Sequence, residues 1–282
     1  MHQPPKNLSH LIRIIAPLAL AAVTCFACRL DASPPRKPIP GPAHLVLATY
    51  NVNFGLAGDP ATLAAIRAIN ADVVLLQETS WMWERAIRAG GLGKRYPHMV
   101  FHHSPRWPAG GLAFLSRYPL EGLRLSPSKL GYFPAWRVVV RTPAGRMQLV
   151  NVHLKPPVSK SGSYVSGYFV TPKERAAEMK GHLALMKPGL PTIVAGDFNE
   201  QSGGGLGVLG KQNMISALPR FAPSANTWRW PVGSLTLRQR LDHIVHDPAQ
   251  LTCLGARVLK MGRSDHLPVV ARFRVVKGNG EG

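Results

Sequence analysis

Val194-Ala195-Gly196-Asp197-Phe198-Asn199 is an apolar run broken by a glycine and followed at once by a carboxylate and an amide. Alone, a Gly-Asp dipeptide marks a turn. Five further segments repeat the arrangement, with polar side chains placed directly after apolar residues. They are Ala48-Thr49-Tyr50-Asn51-Val52-Asn53, Val74-Leu75-Leu76-Gln77-Glu78-Thr79, Asn151-Val152-His153-Leu154, Arg240-Leu241-Asp242-His243-Ile244 and Ser264-Asp265-His266-Leu267-Pro268. The set brings four carboxylates, two histidines and two asparagines to strand ends, where loops converge on a pocket.

Acids are scarce in this chain, which makes their placement informative. Its 282 residues hold 34 Lys and Arg against 14 Asp and Glu, a formal net charge of +20. Among the 14, Glu78, Asp197, Asp242 and Asp265 sit beside strand-like apolar residues, whereas the others fall mostly at caps, loops and polar helix faces. Carboxylates at buried strand ends are costly unless paired or bound to metal. The cationic excess favours anionic partners (nucleic acid, phospholipid head groups or soluble phosphates), with a merely solvated basic surface as the alternative. A hydrophobic fraction of 45% and a mean hydropathy of -0.01 fit a soluble protein with a sizeable core.

The N-terminus reads as a secretory signal. Lys6, His10 and Arg13 precede the apolar run Ile14–Val23, and small residues with Cys25 and Cys28 follow. The run is short for a membrane span of roughly 20 residues and contains Pro17. Residues 1–28 are therefore expected to be a signal peptide, with Cys28 as the alternative lipoprotein attachment point. Export follows, to the periplasm or the medium, or to a membrane through a lipid. A Pro-rich linker over 29–43, one domain over 44–276 and a flexible tail over 277–282 complete the expected organisation. One or two remaining thiols allow no disulfide framework, and no protein partner is implied, so a monomer is expected.

Within the domain, strands are predicted at Leu45–Tyr50, Val73–Gln77, Met99–His102, Leu112–Ser116, Trp136–Arg141, Met147–His153, Thr192–Gly196, Leu241–His246 and Val269–Val275. Pro143-Ala144-Gly145 reads as a hairpin loop. Asp59-Pro60 can start a helix with Leu63, Ile66 and Ile69 inward, and Thr171-Pro172-Lys173-Glu174 reads as a capping box ahead of Ala176, Met179, Leu183 and Met186. Many strands with few helices predict an α/β architecture of two packed sheets with helices outside.

Carboxylate and amide oxygens without a thiolate cluster select a hard cation, so Mg²⁺, or Mn²⁺, over zinc. Such a cation polarises a phosphoryl oxygen, and a histidine near its ordinary pKa can deprotonate the attacking water.

In order and approximate spacing the six segments resemble the endonuclease/exonuclease/phosphatase superfamily, from Ala48 to Val270. Gly110-Gly111-Leu112-Ala113-Phe114-Leu115-Ser116-Arg117-Tyr118-Pro119 and Thr227-Trp228 add to the likeness. The resemblance implies a four-layer α/β/β/α sandwich of two mixed, mainly antiparallel sheets, with the site at their top. It implies Glu78 as principal metal ligand with Asn51 beside it, and Asp265 as a further metal-site or hydrogen-bonding carboxylate. Asp197 would position or activate water, and Asn199 would hold the scissile phosphate. His266, paired with Asp242, would be the general base or a phosphate-binding imidazole. His153 would donate to a phosphate oxygen or the leaving group, and Asn53 and Arg117 would bind substrate. Asn53 and His153 depart from the abasic-site nuclease pattern and point to the deoxyribonuclease-like and sphingomyelinase-like branches.

The implied activity is hydrolysis of an anionic phosphate ester, with nucleic acid slightly ahead of phospholipid or a small metabolite as substrate. A non-catalytic phosphate-binding protein on the same fold is the alternative of another class. Trp81, Trp83, Trp107, and Tyr164, Tyr168 and Phe169 in a 155–171 insert are candidate base-stacking or lipid-contacting aromatics. His102 and His103 are possible extra ligands, and Arg106, Lys155, Lys160 and Arg263 lie near the motifs.

Overall fold

Strands buried on both faces read as unbroken apolar runs, and Val73-Val74-Leu75-Leu76 is one of them. The computed structural model describes residues 35–159, 162 and 164–276. The expected signal segment, the first part of the linker, Lys160 and the C-terminal tail lie outside the described residues.

The described strands are β1 (Leu45–Asn51), β2 (Val73–Gln77), β3 (His98–His102), β4 (Leu112–Ser116), β5 (Leu120–Ser126), β6 (Ala135–Thr142) and β7 (Gly145–His153). They continue with β8 (Thr192–Asp197), β9 (Ile215–Ser216), β10 (Trp228–Val232), β11 (Leu235–Gln239), β12 (Asp242–His246), β13 (Leu251–Val258) and β14 (Val269–Val275). Helices are α1 (Pro60–Ala68), α2 (Trp81–Ala89), α3 (Tyr164–His182), α4 (Gly204–Gly210) and α5 (Leu218–Phe221).

One sheet has the order β13-β14-β1-β2-β4-β3 and the other β5-β6-β7-β8-β12-β9, while β10 and β11 form a separate hairpin. Each sheet contains a single parallel pair, β1 with β2 and β7 with β8, flanked by antiparallel neighbours. The chain crosses over between the partners through α1 in the first case and α3 in the second.

Side chains alternate between the faces of a strand. Leu45 and Leu47 pack toward the other sheet with Leu75, Phe114, Val138, Leu149, Ile193 and Phe273, whereas Ala48 and Tyr50 pack outward with Ile66, Trp83 and Ile87 of the helices. Val150, Val152 and Val194 pack outward against Met179 and Leu209. Three apolar layers thus separate four structural layers, as the sequence implied.

A polar bridge crosses the inner layer. Gln77 Nε2 donates to Asn151 Oδ1 at 2.7 Å and to Thr49 Oγ1 at 3.0 Å. Asn151 Nδ2 in turn donates to the carbonyls of Leu76 and Ala113 in the opposite sheet. All three side chains are fully buried.

Three local expectations differ from the structure. The capping box at Thr171 is interior, because α3 begins at Tyr164 and Thr171 Oγ1 bonds back to the Gly167 carbonyl at 2.6 Å. Much of the expected 155–171 insert is therefore helix. The second half of the expected linker is docked on the sheet edge. Arg36 N donates to Arg220 O, Ile39 N donates to Leu254 O at 2.7 Å, and Arg272 holds the Gly41 carbonyl. The packed chain thus reaches back to Arg36.

Candidate active site

Parallel pairs deliver their C-terminal ends to one edge of a sheet, and antiparallel neighbours begin there. Asn51 and His153 end β1 and β7, Asp197 ends β8, and Glu78 follows β2 directly. Asp242 opens β12 opposite Asp197, and His153 is the register partner of Asp197 on its other side. His266 lies just before β14 and bridges to Trp228.

Two close approaches set the acids in place. A Cβ on Gly196, at φ 150°, would lie 1.8 Å from the Val152 carbonyl oxygen, so only glycine lets β8 deliver Asp197 here. A Cβ on Gly111 would meet the Thr79 carbonyl oxygen at the same distance. Glu78, Asn53 and Asn199 all adopt left-handed backbone, with φ of 60°, 61° and 53°. For a glutamate this conformation costs about 1–2 kcal/mol, and such strain concentrates at functional sites.

Asn51 joins the two sheets at the site. Its Nδ2 donates to Glu78 Oε1 at 2.9 Å and to Asp197 Oδ2 at 3.0 Å, while its Oδ1 accepts from Asn53 N. Glu78 Oε2 accepts from Phe54 N. Asp265 Oδ1 accepts from Asn53 Nδ2 at 2.9 Å and Ser264 Oγ at 3.5 Å, and its Oδ2 accepts from Trp228 Nε1 at 3.0 Å.

His266 Nδ1 donates to Asp242 Oδ2 at 2.9 Å, and its Nε2 lies 3.5 Å from Asp197 Oδ2. Burial opposes charge on this imidazole, but Asp242 and Asp197 outweigh it and lift the pKa to about 10. His266 is therefore an imidazolium at neutral pH. Burial pushes the pKa of Asp197 and of Glu78 upward, against the neighbouring His266 charge and the Asn51 bond respectively.

His153 is neutral for the same reason, its pKa lowered by burial. A carbonyl only accepts, so the 3.1 Å contact with Ala109 O places the hydrogen on Nδ1. Nε2 is then an acceptor, 3.6 Å from Asp197 Oδ2, and Phe133 stacks on the ring. Asn199 spends its Nδ2 on Leu154 O and its backbone N on Asp197 Oδ1, which orders the loop around the acid.

Asp242 Oδ1 is buried without a hydrogen-bond partner. Asp197, Asp242 and His266 each place a ligand atom within 4.8 Å of the others. Four carboxylates around one imidazolium leave excess negative charge with few water contacts, and a hard cation compensates such charge. The residues present fit a divalent metal.

Arg117 is not brought to this site. Its guanidinium bonds Asp72 Oδ1 at 3.0 Å, and Asp72 precedes β2 at the end remote from Glu78. His103 bonds Glu84 at 2.6 Å under Trp81, and His102 meets Trp136 edge-on, so neither joins the acids. Lys155 pairs with Glu174 and Arg263 with Asp59, while Arg106 lies over Trp107.

Sequence reasoning named Thr227 only as part of the family likeness and missed the other supports. Thr227 Oγ1, fully buried, accepts from Leu241 N and Asp242 N. Arg175 Nε on α3 bonds Glu200 Oε2 at 2.7 Å, and Arg175 also reaches Thr171 and the Lys155 carbonyl. Glu178 accepts Lys155 N at 2.8 Å. Helix α3 thereby grips both loops that follow β7 and β8. Their only sequence signal is burial-compatible spacing on one helix face, residues 171, 175 and 178.

Solved structures share the fold. The human Nocturnin catalytic domain with bound sulfate matches with TM-score 0.65 and 18% identity over 82% of this chain and 94% of that one. An endonuclease/exonuclease/phosphatase from Beutenbergia cavernae gives 0.63 and 21% over 83% and 72%. D. rerio TDP2 complexed with single strand DNA product gives 0.61 and 18% over 82% and 98%. A search of curated protein sequences finds no match. The profile of the Endonuclease/Exonuclease/phosphatase family, whose members are phosphoesterase hydrolases, matches residues 48–266. That match spans well over half of the sequence and runs through every acid of the site, and the chain belongs to this family.

Proposed function

We propose that the protein is an exported, Mg²⁺-dependent phosphodiesterase whose favoured substrate is nucleic acid. The observation that carries the chemistry is Asn51, whose one amide group bonds Glu78 and Asp197 together beside the His266–Asp242 pair. Oxygen donors without thiolates select Mg²⁺, and Glu78, with Asn51 beside it, would hold the ion. When bound, the cation supplies charge neutralisation at the phosphoryl and leaving oxygens.

The chain's own residues do the rest. Asp197 Oδ2 accepts a proton from water as the water oxygen bonds to phosphorus, and the ester P–O bond breaks to release an alkoxide that takes a proton from solvent. His266 Nε2–H faces the same space and donates to a phosphoryl oxygen. Asp242 holds the imidazolium charged and oriented. The scarcity of acids, the +20 charge and the single-strand DNA product held by the TDP2 relative support nucleic acid. Export rests on the basic, apolar and small-residue pattern of residues 1–28.

The test is to assay plasmid DNA, RNA, sphingomyelin, phosphatidylinositol and a small diester with Mg²⁺ or with chelator. Expected is Mg²⁺-dependent cleavage of nucleic acid, reduced about 100- to 10,000-fold by His266→Ala. Turnover of lipid alone would overturn the substrate, and no turnover at all the activity. An intact N-terminus on the exported protein would overturn signal removal.

A further inference from the structure

The β10–β11 hairpin carries two arginines in direct cross-strand register, Arg229 opposite Arg238. Both are exposed, and among the described residues neither forms an ion pair with an acid. Like charges directly opposed on a sheet destabilise it. The same chain meets this problem a second time and solves it differently. Arg141 and Arg146 are also cross-strand partners, in the β6–β7 hairpin at the end of the sheet remote from the site. There Glu121 accepts from both, at 3.4 Å and 3.1 Å.

The uncompensated pair lies beside the site. Arg229 N donates to the Asp265 carbonyl at 2.9 Å, and its guanidinium reaches the Gly262 carbonyl. Exposed Lys260 and Arg263 belong to the same loop, and residues 227–240 contain no Asp or Glu. Cations therefore run from the hairpin through Lys260 to Arg263, which pairs with Asp59 and lies three residues before His266.

We propose that the arginine face of this hairpin binds the phosphate backbone of a nucleic-acid strand whose scissile phosphate lies at His266. It rests on the nucleic-acid reading above and names the surface that recognises the rest of the strand. The phosphates outside the site supply the countercharge that Glu121 supplies at the far hairpin. A membrane surface is the competing anion, and the test separates it.

The experiment compares Arg229→Gln/Arg238→Gln with Arg141→Gln/Arg146→Gln, which removes the same charge from the remote pair. Binding of a fluorescein-labelled single-stranded oligonucleotide is followed by anisotropy in chelator over a salt series. The hairpin variant is expected to bind about 10-fold more weakly, with the slope of log affinity against log salt reduced by about 1.4. The remote variant should stay within about 2-fold, since its charges contact no strand. Arg238→Gln alone should give an intermediate loss, and melting curves confirm that each variant is folded.

Equal weakening in both doubles, or none in the hairpin variant, overturns the proposal. So does a parallel 10-fold loss of small-diester turnover in the hairpin variant, which would mean a collapsed site. Loss of binding to phosphatidylglycerol vesicles without loss of oligonucleotide binding assigns the face to membrane instead. If the unsubstituted protein lacks metal-dependent diester turnover, the proposed activity fails, and oligonucleotide affinity still decides this inference.

Discussion

At the scale of single residues, His266 is where structure and chemistry meet most directly. Its charge is kept by Asp242 at 2.9 Å and by Asp197 at 3.5 Å, against burial that works to remove it. Asp242→Asn keeps the shape of the pair and removes the charge that sustains the imidazolium. Activity that needs the charged form falls as pH rises through about 10 in the parent protein. In the variant this alkaline limb is expected to move to lower pH, which a pH–kcat/KM profile would read out. An unmoved limb would mean that Asp242 does not set the charge. Gly196 makes a second residue-scale prediction. Gly196→Ala places a methyl 1.8 Å from the Val152 carbonyl oxygen, so β8 must shift. A loss of about 2–3 kcal/mol, or about 5–10 °C in Tm, is expected with a fall in kcat larger than the change in KM.

At the scale of elements, α3 is more than a crossover. Arg175, Glu178 and Thr171 on it hold the chain after β7 and after β8, and Arg175 and Glu200 are buried against each other. Burial already raises the Glu200 carboxyl to about 7, so without Arg175 it takes up a proton and loses its hydrogen-bond partner, at about 1–3 kcal/mol. Arg175→Met is thus expected to lower the urea midpoint sharply, and Arg175→Met/Glu200→Met to recover part of the loss. No recovery in the double variant would show that the pair acts separately. The grip was invisible in the sequence because it depends on which helix face meets which loop. Elements buried on both faces were legible: β1, β2, β4, β8 and β14 match their apolar runs within a residue. Edge elements other than β3 were not. β5 is largely exposed, β13 bends at a bulge between Cys253 and Gly255, and the β10–β11 hairpin contains Pro231 and Gly233. The site acids were readable because each follows an apolar run. Arg117 was misplaced by the same habit, since β4 runs antiparallel to β2 and its end lies away from Glu78.

At the scale of the whole molecule, buried histidines shape the response to pH. His182, His243 and His246 are pushed by burial to about 4. Between 6.5 and 4 the unfolded chain therefore binds protons that the folded chain refuses, and stability is lost as pH falls through that window. His266 works in the other direction, with its contribution complete below 6.5 and exhausted above about 10. Glu200, raised by burial to about 7, adds stability as pH falls through the window of the three buried histidines and offsets part of their loss. Urea midpoints are expected to fall from neutral pH toward pH 10, roughly, and a level profile over that range would show that His266 does not hold its proton as described. The strap Arg36–Gly41 covers the outer edge of β13, and an uncovered edge invites strand pairing with another chain. Deleting residues 1–41 should produce concentration-dependent association in sedimentation velocity.

The bridge of Thr49, Gln77 and Asn151 gives the sandwich a detent. Two sheets that meet only through aliphatic side chains resist sliding weakly, since greasy contacts are non-directional. Here a slip of one residue, about 3.3 Å, would unseat Gln77 from Asn151 and Asn151 from the carbonyls of Leu76 and Ala113. The spacing between Asn51 and Asp197, which belong to different sheets, is thus indexed from beneath by a locating pin and not left to the loops above. A seam keyed in this way has one working alignment. It should give way all at once on heating, with both sheets letting go together.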